Sequence, residues 1–169
     1  MPEHDTPKEA LFKEIAARLG QQGFAIAKKD QARPWGGFFV IDEQQVQKFA
    51  ALYFPDLVVD NLRIGGAKLS PKVLVVAPQQ RLSWQYHHFR AEIWQVVKGP
   101  VGIAVSPTDQ QGDVKTFQVG ERVIIQQGER HRLVGLNGWG VLAEIWQHTD
   151  ATHPSDEDDI VRVQDDFGR

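Results

Sequence analysis

Residues 81–99 read RLSWQYHHFRAEIWQVVKG and place several polar side chains within an apolar, aromatic and β-branched run. Such a run favours a β-strand, in which successive side chains point to opposite faces. Gln85 and His87 are therefore expected on one face. Glu92 lies five residues beyond His87, so on one straight strand it would point the other way. A turn at residues 89–91 would let Glu92 open a second strand and face back towards Gln85 and His87.

A further histidine, His131, follows a glycine-marked turn in QQGERHRLV, residues 126–134. Together with the first segment it completes a mixed nitrogen and oxygen set suited to a divalent metal. The expected ligands are Gln85, His87, Glu92 and His131. Two alternatives remain open, since Glu92 could instead be a buried acid paired with Arg90 or Arg132, and Gln85 could only orient a water. His88 has the opposite strand parity and is expected on the outer face or at an interface.

These two segments resemble the two motifs of the cupin superfamily. The first motif has paired ligands on a strand, then a glutamate and a glycine, matched here by Gln85, His87, Glu92 and Gly99. The second runs from a glycine through a turn to a histidine, matched by Gly120, Gly128 and His131, with Gln126 in place of the usual proline. The resemblance implies a mainly β, single-domain jelly-roll barrel with a metal held by the four candidate ligands.

Further blocks are similar to the cupin domain of the type II mannose-6-phosphate isomerases. They are LSWQYHHFRAEIW at 82–94, RPWG at 33–36, DDIVR at 158–162 and DDFGR at 165–169. Residues 69–74 followed by 82–87 also resemble the type I enzymes. Phe89 and Ile93 stand where the type II family usually has histidines. The resemblance implies a metal-dependent aldose–ketose isomerase acting on a sugar phosphate, with mannose-6-phosphate and fructose-6-phosphate as first-choice substrates and an enediol intermediate.

The resemblance also suggests roles for charged residues in the matching blocks. Arg33 and Arg162 are expected to bind the substrate phosphate, because a guanidinium binds such oxyanions bidentately. Lys98 and Arg169 are further candidate cations. Two catalytic residues are expected: Arg90, which lies in a matching block, and Glu144, which lies outside these blocks and is a candidate because a carboxylate within an apolar strand needs a reason. Glu144 lies in the apolar run VLAEIW, and a structural ion pair is the alternative. Zinc is the first expectation for the metal, and the ligand set equally allows iron, manganese, cobalt or nickel.

Three other functions remain open at this level. Phe89 and Ile93 prompt an isomerase or epimerase of another sugar, free or phosphorylated. A cupin that binds a sugar without turnover and serves a partner protein is the second alternative. An iron-dependent cupin oxygenase is the third, although the blocks at 33–36 and 158–169 do not favour it.

Composition limits the possibilities further. The chain has 169 residues, 41% of them hydrophobic, a formal net charge of -3 and no cysteine. That length suits one core and leaves no room for a nucleotidyl-transfer domain. The charge predicts no nucleic-acid partner. The absence of a long apolar run predicts no membrane span, and the acidic residues 1–5 do not resemble a signal peptide. We therefore expect a cytoplasmic protein.

The predicted organisation is one cupin domain over 1–169. It comprises an N-terminal helix within 1–22, capped by Thr6 with Pro7 in the first helical position, a barrel over 24–148 with a helical insertion at 42–54, and a C-terminal wrap over 149–169. Residues 61–64 are a candidate edge strand. A homodimer is expected through exposed aromatic positions such as Trp94 or Trp139.

Overall fold

The computed structural model describes residues 6–63 and 66–169. Within these ranges the elements are α1 (Lys8–Gln21), β1 (Ile26–Arg33), β2 (Gly36–Ile41), α2 (Val46–Tyr53), β3 (Lys72–Val76), β4 (Trp84–Tyr86), β5 (Arg90–Lys98), β6 (Val101–Ser106), β7 (Lys115–Phe117), β8 (Arg122–Ile125), β9 (Arg130–Val134), β10 (Gly140–His148) and β11 (Val161–Gln164). Neither of these helices is long and apolar enough to cross a membrane.

The strands form two antiparallel sheets that pack face to face. The six-stranded sheet has the order β1-β2-β3-β10-β5-β8, and the five-stranded sheet has the order β11-β4-β9-β6-β7. Strands that are distant in sequence are neighbours in both sheets, as a jelly roll requires. The predicted mainly β cupin fold with two peripheral helices near the N-terminus is confirmed.

The central strands of the six-stranded sheet, β3, β10 and β5, are buried on both faces, which explains why they read as nearly continuous apolar runs. The inner face of this sheet packs against the five-stranded sheet, through Leu74, Trp94, Ile103, Leu133 and Leu142. Its outer face is covered by the two helices, through Leu11, Phe12, Phe49, Val73, Val75 and Ala143. The helices therefore close the side of the barrel away from the sheet interface, and polar side chains on the inner face lie inside the molecule.

The helix starts differ in detail from the sequence patterns. Pro7, rather than Thr6, is the N-cap of α1, and no side chain caps that helix. The Pro7 carbonyl accepts the first helical bond from the Leu11 amide at 3.1 Å. The insertion begins as predicted at Asp42, whose carboxylate accepts a hydrogen bond from the Gln44 amide at 3.0 Å. A 3-10 turn therefore precedes α2.

Two other predictions need correction. Val59–Asn61 forms a 3-10 turn rather than the start of an edge strand, while Ile64 and residues 1–5 lie outside the described ranges. Trp94 and Trp139 are buried, with 2% and 7% of their surface exposed, so neither can form a dimer interface. Each indole is engaged internally, because Trp94 donates to Glu144 and Trp139 donates to the Thr6 carbonyl.

The C-terminal segment returns to the barrel, where β11 pairs with β4. Arg81 makes two hydrogen bonds to the Asp166 carboxylate, at 2.7 and 2.9 Å. The buried Arg132 donates to the carbonyl of Gln164 at 3.2 Å. This segment therefore lies against the strand that leads into the histidine-containing stretch.

Candidate metal centre

Three of the four expected metal ligands meet between the two sheets. His87 follows β4, His131 lies on β9, and Glu92 lies on β5 of the facing sheet. One ligand atom from each residue falls within 4.8 Å of the other two, and all three side chains are buried. The pairing of distant strands thus brings together residues that are up to 44 positions apart in the chain.

Strand register explains this convergence. Gln85 pairs directly with His131 across β4 and β9, and His87 lies two residues beyond Gln85 on the same face. The chain bends at residues 88–89, slightly before the predicted turn, so that Glu92 lies within β5 and faces the histidines. Gly128 has a φ of 76°, which glycine adopts without strain, and its amide donates to the His87 carbonyl at 3.0 Å. The two motifs are therefore joined by a backbone hydrogen bond.

Backbone carbonyls fix the orientation of both imidazoles. The Nδ1 atom of His87 lies 2.6 Å from the Asp159 carbonyl, and that of His131 lies 3.0 Å from the Glu129 carbonyl. Since a carbonyl can only accept, each Nδ1 carries a proton, which leaves Nε2 as the ring nitrogen available to a metal ion. Those Nε2 atoms lie 3.4 and 3.2 Å from Oε1 of Glu92.

The arrangement fits a divalent cation. His87 Nε2, His131 Nε2 and Glu92 Oε1 are all buried without a hydrogen-bond partner among the described residues. Buried polar atoms normally have partners, and three acceptors pointing at one another need a positive charge between them. Burial lowers the pKa of His87, which favours the neutral ligand form. Burial opposes ionisation of Glu92, yet its interactions with His87 and with the Arg90 guanidinium hold its pKa well below its usual range.

Gln85 is placed differently from the other three. Its pairing with His131 brings it beside the centre, but Ser83 Oγ donates to its Oε1 at 2.5 Å. The amide is half-buried and lines the adjoining cavity.

His88 is exposed, in agreement with its predicted outward orientation. Arg132, one of the two arginines considered as a partner for Glu92, donates to the Leu82 carbonyl at 2.7 Å. Arg90 is therefore the arginine that pairs with Glu92, at 3.2 Å.

A cavity of about 400 Å³ opens beside the centre. Four of the residues predicted to act on substrate line it, namely Arg33, Arg90, Glu144 and Arg162. The pairing of Arg162 with Gln85 explains how β11 reaches the site. Arg169, expected as a further cation for the phosphate, also lines this cavity. So do Trp35, Lys72 and Glu157, which the sequence prediction did not assign to it.

Arg90 binds Glu92 on the side that faces away from the two histidines. Its Nε donates to Glu92 Oε2 at 3.2 Å, and its Nη1 donates to Ser155 Oγ and the Asp156 carbonyl, each at 2.8 Å. Its guanidinium also lies 3.9 Å from the centre of the Trp146 ring. Most of its donors are therefore committed to the protein, which makes it a residue that orients Glu92.

Glu144 is a buried acid on the cavity wall. Trp94 Nε1 donates to it at 2.9 Å, and the Lys72 ammonium lies 4.0 Å from its other oxygen. Burial and the nearby charge of Glu92 raise the pKa of Glu144 to about 8. Lys72 is itself buried and could have been suspected from the sequence, because it begins an otherwise apolar strand.

Cationic side chains line the other part of the cavity. Arg33 is paired with Asp30 at 3.1 Å, and Arg169 with Asp165 at 2.7 Å. The guanidinium of Arg162 forms no hydrogen bond or ion pair with any part of the chain that the structure describes. Burial lowers the pKa of Arg162, and repulsion from Arg169 and Arg33 acts in the same direction. This part of the cavity therefore has three guanidinium groups and only two paired carboxylates, which leaves one positive charge unbalanced.

Lys98 does not join this cavity. Val141 and Leu142 pair with Lys98 and Val96 respectively, so Val97 is an extra residue on β5. Such a bulge reverses the face to which the following side chain points. Lys98 consequently lines a separate cavity of about 280 Å³ beneath α1, together with Leu11 and Val141.

Comparison with known proteins agrees with this architecture. The model of the family described as mannose-6-phosphate isomerase C-terminal matches residues 64–165. Mannose-1-phosphate guanylyltransferase ManC of Salmonella typhimurium is 28% identical over 137 residues, which cover 81% of this chain and 22% of ManC. Alginate biosynthesis protein AlgA of Pseudomonas aeruginosa is 33% identical over 127 residues, covering 74% of this chain and 24% of AlgA.

The chain therefore spans about a quarter of the length of the curated relatives it matches. Among solved structures, the capsular polysaccharide assembling protein CapF of Staphylococcus aureus superposes with a TM-score of 0.52 and 16% identity. That match covers 80% of this chain and 31% of CapF, and it supports the fold alone. With the family model covering more than half of the sequence, the chain belongs to the mannose-6-phosphate isomerase C-terminal family of cupin domains.

Proposed function

We propose that this protein is a metal-dependent aldose–ketose isomerase of a sugar phosphate, with mannose-6-phosphate and fructose-6-phosphate as the first substrates to test. The observation that carries the proposal is that a cluster of guanidinium groups lines the same cavity as His87 and Glu92, two members of the His-Glu-His centre. The relatives named mannose-1-phosphate guanylyltransferase support a mannose phosphate as the substrate class.

The cationic part of the cavity suits the phosphate. Arg162 is exposed at the cavity wall and has no carboxylate bonded to it within the described ranges. A phosphate group would accept hydrogen bonds from Arg162 and from the donors of Arg33 and Arg169 that their own acids leave free. This would fix one end of an open-chain sugar and direct its other end towards Glu92 and Glu144.

The reaction moves two protons. The proton on C2 of the aldose is transferred to C1, and the proton of the C2 hydroxyl is transferred to the carbonyl oxygen on C1, which produces the ketose. We assign the carbon-to-carbon transfer to Glu144, a buried carboxyl group that lines the cavity and is not one of the three converging ligands. The Trp94 indole holds this carboxyl in place.

His87, Glu92 and His131 would hold the metal, with Gln85 beside them. Zinc is the first candidate, and iron, manganese, cobalt or nickel are compatible with the donor set. A divalent cation, when bound, supplies stabilisation of negative charge on the oxygens of the reacting carbons. Arg90 favours the ionised form of Glu92 and fixes its orientation. A metal ion would therefore not have to displace a proton from this carboxylate in order to bind.

The residues that depart from the type II pattern lie outside the cavity. Ile93 is buried on the face covered by the helices. Phe89 stacks on His153 with ring centres 5.1 Å apart and lines a shallow surface depression. Neither contacts the cavity beside the metal centre, so these two substitutions give no structural reason to prefer a different sugar.

The test combines metal analysis with an assay for conversion of mannose-6-phosphate to fructose-6-phosphate. Chelation should abolish turnover, and return of the metal should restore it. His87→Ala should lose both metal and activity, whereas His88→Ala, the exposed neighbour, should retain both. Bound metal without turnover of any sugar phosphate would favour a sugar-binding role instead. Turnover that survives complete chelation would contradict the proposal.

A further inference from the structure

The C-terminal segment 155–159 supports two of the three converging ligands. It lies more than 60 residues from both His87 and Glu92 in the chain. It contacts His87 directly and Glu92 through Arg90, in each case on the side of the ligand that faces away from the point of convergence. The segment is therefore placed to control the ligand geometry without supplying a ligand atom itself.

On the His87 side, Asp159 makes four contacts. Its carbonyl accepts from His87 Nδ1 at 2.6 Å. Its carboxylate accepts from the backbone amides of His88 and Phe89, at 2.8 and 2.9 Å, and from Ser155 Oγ at 2.7 Å. The carboxylate thus anchors the bend that follows His87, and this anchoring places the carbonyl that selects the tautomer of His87.

On the Glu92 side, the contact passes through Arg90. Ser155 Oγ and the Asp156 carbonyl accept from Arg90 Nη1, while Arg90 Nε donates to Glu92 Oε2. Ser155 is buried and also donates to Asp159, so it connects the two halves of the support. Its amide donates to His148 Nδ1 at 3.1 Å, which ties the segment to β10.

We propose that residues 155–159 act as a clasp whose docking is coupled to metal binding, with Asp159 as the positioning residue for His87. This rests on the metal centre of the proposed function. An undocked clasp would release the His87 ring to exchange tautomers and rotate, and would remove two acceptors from Arg90. Because coupling between two equilibria is reciprocal, a bound metal must also hold the clasp in its docked position.

Asp158 provides a matched control for Asp159. It is the adjacent residue, it is exposed, and its carboxylate makes no hydrogen bond or ion pair with any residue in the described ranges. Asp158→Ala and Asp159→Ala remove the same charge from the same segment. Asp159→Asn keeps one acceptor oxygen and serves as the conservative variant.

The first measurement is Zn²⁺ affinity of the full chain, by competition with a chromophoric chelator, together with the absorption spectrum of the Co²⁺-loaded protein. Loss of an outer contact to a metal-binding histidine typically weakens affinity about 10–100-fold. We expect a loss of that size in Asp159→Ala with an altered Co²⁺ spectrum, a smaller loss in Asp159→Asn, and wild-type behaviour in Asp158→Ala. If Asp159→Ala fails to fold, Ser155→Ala provides a milder test, and it should also weaken Zn²⁺ binding.

The second measurement tests the reciprocal effect by amide hydrogen exchange. Zn²⁺ should slow exchange in residues 155–164 of the wild type. Zn²⁺ should not change exchange of these residues in His131→Ala. This variant lacks one metal ligand, and that ligand has no contact with the clasp. If Zn²⁺ binds the wild type but Asp159→Ala binds it equally well, or if Zn²⁺ leaves exchange in this segment unchanged, the clasp is wrong while the proposed function stands. A wild type that binds no metal overturns both.

Discussion

Arg90 binds one carboxylate oxygen of Glu92 and leaves the other oxygen facing the two histidines. Arg90 Nε donates to Oε2 at 3.2 Å, and Oε1 is left facing His87 and His131 without a hydrogen-bond partner among the described residues. The two side chains are adjacent on the same face of β5 because they are two residues apart. A structural ion pair and a metal ligand, which the sequence presents as alternatives for Glu92, are therefore both compatible with this geometry.

Removing the arginine should destabilise the fold even without metal. Arg90→Leu would leave Glu92 buried with its Oε2 unpaired, and breaking a buried pair by removing one partner costs about 3–5 kcal/mol. Denaturant unfolding of the metal-free protein measures this loss. Arg18→Leu, at a side chain that is 64% exposed, is the control and should change stability little. Equal unfolding free energies for the two variants would contradict the role given to Arg90.

Arg162 should matter for phosphorylated substrates only. Loss of a hydrogen bond to a charged group costs about 1.5–3 kcal/mol, which corresponds to roughly 10–100-fold in kcat/KM. Arg162→Ala should therefore lower kcat/KM for a sugar phosphate by that factor, and inorganic phosphate should inhibit it less. Metal content should stay at the wild-type level. An unchanged inhibition constant for phosphate would remove Arg162 from the site.

Lys98→Ala should leave the kinetics unchanged. The side chain lines the cavity beneath α1 and not the one beside Glu92. The comparison with Arg162→Ala is direct, since each variant removes one positive charge. A large rise in KM for the sugar phosphate in Lys98→Ala would mean that the bulge at Val97 is absent in the active protein.

The contrast between these two cations shows what the sequence can and cannot predict. Period-two alternation predicts Gln85 and His87 on one face and His88 on the other, and the structure agrees, since the first two line the cavity and His88 is exposed. The same alternation places Lys98 on the wrong face, since a single extra residue on β5 reverses it. A bulge is defined by its partner strand, and one strand read alone contains no sign of it.

Burial of the aromatic residues was harder to predict for a related reason. Trp94 and Trp139 look like exposed strand positions when a sheet is assumed to have one solvent-facing side. Here the helices cover the outer face and the second sheet covers the inner one. Support of His87 by Asp159 could not be predicted at all, because it depends on a carbonyl 72 residues away whose position only the folded chain defines.

Asp166 should contribute stability that depends on pH. Its hydrogen bonds to Arg81 hold the pKa of its carboxyl well below the usual range, so the folded state favours the ionised form. The contribution is fully present above the ordinary aspartate pKa of about 4 and is lost as pH falls below it. The pair is partly exposed, which limits the effect to about 1 kcal/mol.

The stability difference between wild type and Asp166→Asn should accordingly be constant from pH 7 to about pH 5 and should shrink at pH 3. Denaturant unfolding at these pH values measures it. Asp113→Asn, which removes a carboxylate from an exposed loop, is the control for loss of surface charge. A difference that grows on acidification would have the wrong sign for a carboxyl whose pKa is lowered by folding.

Glu144→Gln should separate catalysis from metal binding. The amide keeps an oxygen that can accept from Trp94 Nε1, so the wall of the cavity should be preserved, but it cannot transfer a proton. Removal of a general acid–base group typically lowers kcat about 10²–10⁴-fold. We expect a loss in that range with wild-type metal content and little change in KM. Phosphate inhibition should also be unchanged, because Arg33 and Arg162 are untouched. If Glu144→Gln retains full kcat, the carboxyl is a structural partner of Lys72 and Trp94, and the base must be sought among the other groups that line the cavity.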